Sequence, residues 1–197
     1  MAKEEQSVRA FLSIHIPSAV REKLRAAQRE IAAVIPEWAV RWTPFEQLHL
    51  TLEFLGDVAT GNVPPLESAL KLIAAAHRPF ELSAGRVGAF SSVRNPRVIW
   101  AGIGGEVDAV KALQADVNSS VRSFVAEQET RAYKPHVTLG RVRPVKARDL
   151  RQVSDALATA TERGFGSWRV DEFALMQSKL SPQGSQHSTL ATFPLGG

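Results

Sequence analysis

The chain has 197 residues, of which 44% are hydrophobic and 22% charged, enough apolar material for one substantial core and too much for a disordered segment. It contains no cysteine, which excludes disulfides, thiolate nucleophiles and zinc–thiolate centres and fits a reducing cytoplasm. The net charge is +4, and its surplus is local: seven basic residues (Arg131, Lys134, Arg141, Arg143, Lys146, Arg148 and Arg151) fall within one 21-residue run whose only acid is Asp149, a footprint suited to phosphate or nucleic acid or, more plainly, a solvated basic face.

The N-terminus, MAKEEQSVRA, is charged and lacks an apolar signal segment, and no apolar run reaches the roughly eighteen residues of a membrane span. About the first seven residues read as a tail. VRAFLSIHI (8–16) alternates like a strand, Pro17 ends it, and Ser18 opens a helix to about Val34. After the break at 35–37, QLHLTLEFLG (47–56) is the clearest strand. Asn62 and the prolines at 64 and 65 start a helix reaching about Ala76. Strands are expected at 79–90 and 97–104, separated by a turn at Asn95-Pro96. A helix over 106–126, a strand over 134–142 and a helix over 146–162 follow, the last stopped by Gly164. WRVDEFALMQS (168–178) reads as one strand, 181–184 as a turn and 187–194 as a closing strand. The layout is α+β: strand, helix and histidine-bearing strand recur, and Phe11 precedes His49 by the 38 residues that separate Val98 from His136. Two similar halves around a pseudo-two-fold axis are expected.

Three of the five histidines open the same pattern: HLTL at 49–52, HVTL at 136–139 and HSTL at 187–190. An accidental match has a probability of roughly one in fifty per histidine, so one would be unremarkable and three rare. In a strand, residues i and i+2 share a face. His49 and Thr51 therefore point one way, and Leu48, Leu50, Leu52 and Phe54 are expected on the other. His136 and Thr138 repeat the arrangement, with Val137 and Leu139 behind. Two such fronts facing each other make a cleft with two imidazoles and two hydroxyls. One imidazole can take a proton from a nucleophile and the other can give one to a leaving oxygen, while the hydroxyls donate to phosphate oxygens. A buried, mutually satisfied His/Thr pair is the plain alternative for either strand alone. A metal site is disfavoured, since the chain has no cysteine, no His-x-His and no H-E-x-x-H. His187 lies outside the two-half pattern and is expected to pack in a closing strand; His15 and His77 read as structural.

The paired motifs, with FLSIHIP, LHLTLEFLG, YKPHVTLGRV and FALMQSKLSPQGSQHSTLATFPL around them, resemble the two-histidine (2H) phosphoesterase superfamily. Within it the chain is similar to the bacterial and archaeal RNA 2′,3′-cyclic phosphodiesterases, historically called 2′-5′ RNA ligases. The resemblance implies a single bilobal domain over 1–197, each lobe an antiparallel sheet with helices on its outer face and both motifs in the groove between. It implies hydrolysis of an RNA terminal 2′,3′-cyclic phosphate to a 2′-phosphate, with His49 as proton donor, His136 as proton acceptor and Thr51 and Thr138 holding the phosphate. No metal or other cofactor is implied, and weak reverse 2′-5′ ligation comes with the family. The relatives usually carry tyrosine where His187 stands. Arg131 is a candidate for phosphate or RNA backbone, Phe45 and Trp42 for stacking on the terminal base, and Tyr133 for the same; a surface arginine and lobe-packing rings are the alternatives. The partners expected are RNA ends or nucleotides with a cyclic phosphate, and a monomer is expected because the groove lies within one chain. Hydrolysis of small cyclic nucleotides or 2′-5′ oligonucleotides, or non-catalytic binding of RNA ends, remain alternative functions.

Overall fold

The computed structural model describes residues 6–125, 132–160, 163–181 and 184–196. The strands are β1 (Ser7–His15), β2 (Val40–Trp42), β3 (His49–Ala59), β4 (Phe80–Ser91), β5 (Pro96–Gly105), β6 (His136–Val142), β7 (Gly164–Val170), β8 (Glu172–Ser181) and β9 (Gly184–Pro194). The helices are α1 (Ser18–Ala32), α2 (Val63–Ala76), α3 (Val107–Val121) and α4 (Ala147–Thr159). All strand pairs are antiparallel, in the order β7-β4-β5-β6-β3-β1-β8-β9, with β2 beside β6.

This sheet is two lobes joined at a narrow seam. β3 and β6 meet at a single bridge, Leu50 with Val137, and the strands diverge from it. On one side lie β3, β1, β8 and β9; on the other β6, β5, β4 and β7. The two orders match strand for strand, as the recurring sequence pattern leads one to expect. α2 and α3 pack on the first lobe, α1 against β7 and α4 on the second. Each lobe thus buries its back with the apolar stripe of two helices: Leu66, Leu70, Val110, Leu113 and Val117 on one side, Val20, Leu24, Ile31, Val153 and Leu157 on the other.

Registers confirm the symmetry of the central strands. His49 pairs with His15 and Thr51 with Ser13, while His136 pairs with Gly102 and Thr138 with Trp100. In both lobes the register then slips by one residue immediately after the threonine: Leu12 faces Glu53, and Ile99 faces Gly140. The inserted residues are Leu52 and Leu139, both buried. A bulge adds a residue and reverses the facing of everything beyond it.

That slip corrects one expectation. Phe54 does not join Leu50 and Leu52 in the core; it is 61% exposed on the front, and Glu53 and Leu55 are buried in its stead. Simple alternation fails there because the bulge at Leu52 takes two successive residues inward. A second correction concerns 168–178. It is two strands, and at Asp171 the chain leaves the β4 edge of one lobe and crosses to pair with β1 in the other. The three-residue β2, too short to show a period, has no counterpart among the expected elements.

Candidate active site

A groove of about 630 Å³ opens between the lobes. One lobe contributes Arg9, Phe11, His49, Thr51 and Phe54, with Ser178, Ser185 and His187 from its β8–β9 hairpin, and the other side Arg41, Trp42, Thr138 and Arg141. The bridge between Leu50 and Val137 dictates what meets across the seam. In an antiparallel pair, residues flanking a bridge face one another crosswise, so His49 stands opposite Thr138 and Thr51 opposite His136. Each imidazole therefore has a hydroxyl across from it, and the two imidazoles lie on a diagonal across the seam. His136 is not among the residues lining the groove, but it is near enough to His49 for its charge to oppose protonation there.

The rings are oriented by backbone and by aromatic contact. His136 Nδ1 lies 2.7 Å from the carbonyl oxygen of Lys134, two residues earlier. Donation of Nδ1–H to that oxygen leaves Nε2 with its lone pair. The backbone of Gln47, again two residues before a motif histidine, favours the protonated form of His49. Phe11 stacks on His49, with ring centroids 5.0 Å apart and planes at 29°. Phe90 meets His136 edge-on at 4.7 Å and 88°, and Trp100 lies 5.6 Å beyond Phe90. Gly88 makes room for this row, because a Cβ there would fall 2.3 Å from the Trp100 ring.

Burial depresses both imidazoles. His49 is pushed down to about 4, first by desolvation, then by the neighbouring His187 and, after the opposing Gln47 backbone, by His136. His136 is lowered by burial and by the Arg141 guanidinium, against the Lys134 carbonyl that stabilises its cation. Both are mainly neutral at pH 7. An anion placed between them reverses part of this by favouring the protonated forms.

The other candidates separate by position. Trp42 lines the groove. Phe45 does not; it lies in an adjoining cleft beneath Arg21 and Arg25, whose guanidinium carbons are 4.7 and 5.6 Å from its ring centroid. Tyr133 is partly buried against the core and donates its hydroxyl to the Thr51 carbonyl at 2.9 Å, bracing β3 from behind the seam. Its phenol is held far above its ordinary pKa by burial and by the Glu53 carboxylate. Arg131 lies outside the described residues. His187, expected only to pack in a closing strand, lines the groove with its ring 5.6 Å from His49 and 4.9 Å from Phe11. Its strand is tied down where Gln47 Nε2 donates to the Ser185 carbonyl. His15 is exposed at the end of β1. His77 Nε2 lies 2.8 Å from Asp116 Oδ2, pinning the end of α2 to α3.

Sequence reasoning passed over Arg9, Phe11, Arg41, Phe90 and Arg141. Arg141 was counted in the basic run, and its place follows from the bulge that also exposes Phe54. Both stand three residues after the threonine of their motif, on the face that simple alternation denies them.

A two-lobed antiparallel fold with a His/Thr strand from each half facing one groove defines the chain as a two-histidine type of phosphoesterase scaffold. Comparison with known proteins gives the family: the LigT-like phosphoesterase model matches residues 14–100 and 104–185, and the chain belongs to that family. It is 30% identical to the RNA 2′,3′-cyclic phosphodiesterase of Archaeoglobus fulgidus over 94% of this chain and 99% of the relative. It is 29% identical to the enzyme of the same name from Methanothermobacter thermautotrophicus over 95% and 99%. Among solved structures, Escherichia coli LigT complexed with 3′-AMP superposes with a TM-score of 0.73 at 27% identity, covering 98% of this chain and all of the other. TT0787 of Thermus thermophilus gives 0.77 at 28% identity, covering 96% and 98%.

Proposed function

We propose that the protein hydrolyses RNA 2′,3′-cyclic phosphate ends to 2′-phosphates by paired histidine acid–base catalysis that needs no metal. The observation that carries this reading is the crosswise seam, with a histidine opposite a threonine on either side of the Leu50–Val137 bridge. A cyclic phosphodiester lying over that bridge has an imidazole on each side and a hydroxyl beside each. His136, with Nε2 unprotonated, takes a proton from the attacking water. The new P–O bond forms, the P–O3′ bond breaks, and His49 supplies the proton that the ribose 3′-oxygen needs. Thr51 and Thr138 donate to the non-bridging oxygens, whose charge they hold in place.

The low pKa of His49 is compatible with a donor role. The substrate is an anion, and an opposite charge within about 4–6 Å favours the imidazolium. Burial that makes the free cation costly also makes its proton easy to give up once the phosphorane charge has moved to the leaving oxygen. With a 5′-hydroxyl in place of water, the same groups would form the new P–O bond to that hydroxyl, break the P–O3′ bond and leave a 2′-5′ linkage, a ligation that needs no ATP.

The test is turnover of a nucleoside 2′,3′-cyclic phosphate in EDTA, with the product read by phosphorus NMR. A 2′-phosphate is expected. A 3′-phosphate would reject the regiochemistry, and loss of turnover in EDTA would reject metal independence.

A further inference from the structure

Beside the groove lies a second cleft of about 420 Å³, lined by Arg25, Gln28 and Arg29 of α1 and by residues 42–46. Trp42, Thr43 and Pro44 line both cavities, so the two adjoin along this short rim. We infer that the RNA chain on the 5′ side of the cyclic end crosses this rim and lays its phosphates along α1, a docking surface that rests on the function proposed above.

Charge and shape support the assignment. Arg21, Arg25 and Arg29 are spaced four apart, which places them on one face of the helix. Arg25 and Arg29 are exposed, and Glu46 is the one carboxylate among the residues lining the cleft. The Phe45 ring under Arg21 and Arg25 holds their guanidinium groups by its face, a contact that uses the cation's π surface and leaves N–H edges for phosphate oxygens. Trp42 at the divide offers a surface on which a base can stack whatever its identity. Arg41 and Arg141 continue the positive lining on the groove side.

The rim is built in place rather than draped. Gln28 is buried, 6% exposed, and its Nε2 donates to the carbonyls of Thr43 at 2.9 Å and Leu139 at 2.7 Å. Leu139 is the bulged residue next to Thr138. One amide thus fixes the rim to the strand that carries half of the phosphate site, and the two cavities keep a constant relation. A single-stranded polynucleotide, with an anionic group at every step and a terminal phosphate in the groove, matches this continuous surface; a free mononucleotide fills only the groove.

The experiment compares two substrates in the double variant Arg25→Glu/Arg29→Glu. Hydrolysis of a ten-nucleotide RNA ending in 2′,3′-cyclic phosphate is expected to lose at least tenfold in kcat/KM, while a mononucleoside 2′,3′-cyclic phosphate stays within twofold and certifies the fold. With Arg25→Gln/Arg29→Gln, the log–log salt dependence of decamer binding is expected to shallow by about 1.4, two phosphate contacts at about 0.7 each. A decamer unaffected by the double variant, or both substrates falling together, overturns the surface. If the wild-type protein fails to hydrolyse the mononucleotide, the proposed function falls. Fluorescence anisotropy of a decamer ending in a 3′-hydroxyl then decides the surface alone: tenfold weaker binding in the glutamate variant upholds it, and equal binding overturns it.

Discussion

The ring of His187 stands edge-on to that of His49, 5.6 Å away and at 69°, with Phe11 against both. Two imidazoles this close disfavour each other's protonation, and His187 is second only to burial in holding His49 down. Since His187 is itself lowered by burial, its opposing charge appears only in acid. Replacing it by phenylalanine keeps the packing and removes the charge. The His49 pKa, followed by proton NMR of the ring carbon, is expected to rise from about 4 in His187→Phe, with turnover retained within tenfold. An unchanged titration would mean that the two rings do not interact electrically.

Both motif histidines titrate low, and the pH dependence of kcat/KM follows. The profile reports the free enzyme, and the cyclic diester does not itself titrate in this range. One imidazole must be protonated and the other neutral, so the rate peaks between the two free-enzyme pKa values. With His49 at about 4 and His136 below 6.5, the optimum is expected on the acid side of pH 6.5. A plateau extending to pH 8 would show that an acid other than an imidazole supplies the proton.

The same shifts link stability to pH. The folded protein disfavours His49 protonation relative to the unfolded chain, so the unfolded state binds more protons between the two pKa values. The contribution is present in full above pH 6.5 and is lost as pH falls toward 4, on the order of 3 kcal/mol for this group. His136, His15 and His187 shift in the same direction. Thermal melts should show Tm falling from pH 7 to pH 4, and less steeply in His49→Asn.

Tyr133 separates bracing from base recognition. As a strut, Tyr133→Phe leaves the Thr51 carbonyl without its donor, at a cost of about 1–3 kcal/mol in denaturant midpoints, and disturbs Thr51 equally for every substrate base. A loss that depends on the base, with stability unchanged, would assign the ring to substrate.

Gly88 supports His136 at a distance. In Gly88→Ala the new Cβ falls on the rigid indole of Trp100, which must swing and carry Phe90 with it. Reduced kcat with little change in the circular dichroism spectrum is expected; full activity would show that the aromatic row does not orient His136.

Much of this was legible in the sequence. The i, i+2 rule put each histidine and threonine on a common face, and the equal 38-residue spacings reflect matching registers, His15 with His49 and Gly102 with His136. What periodicity could not carry was the break in it. The bulges at Leu52 and Leu139 are single buried leucines that look like any other core residue, yet they decide where Phe54 and Arg141 point. Likewise nothing local marks Asp171 as the point where an unbroken β-rich run changes lobes. His187 was discounted because it falls outside the repeat, and its place beside His49 arises from hairpin pairing, with Ser178 facing it across β8 and β9. Phe45 and Trp42 are close in the chain, but the turn at 45–47 sends one to the neighbouring cleft and leaves the other on the divide.

The most direct measurement is turnover of a nucleoside 2′,3′-cyclic phosphate by His49→Ala, His136→Ala and His187→Ala in EDTA. The account predicts losses of about 10²–10⁴-fold for each of the first two and a retained rate for the third. Undiminished turnover in either His49→Ala or His136→Ala would contradict it.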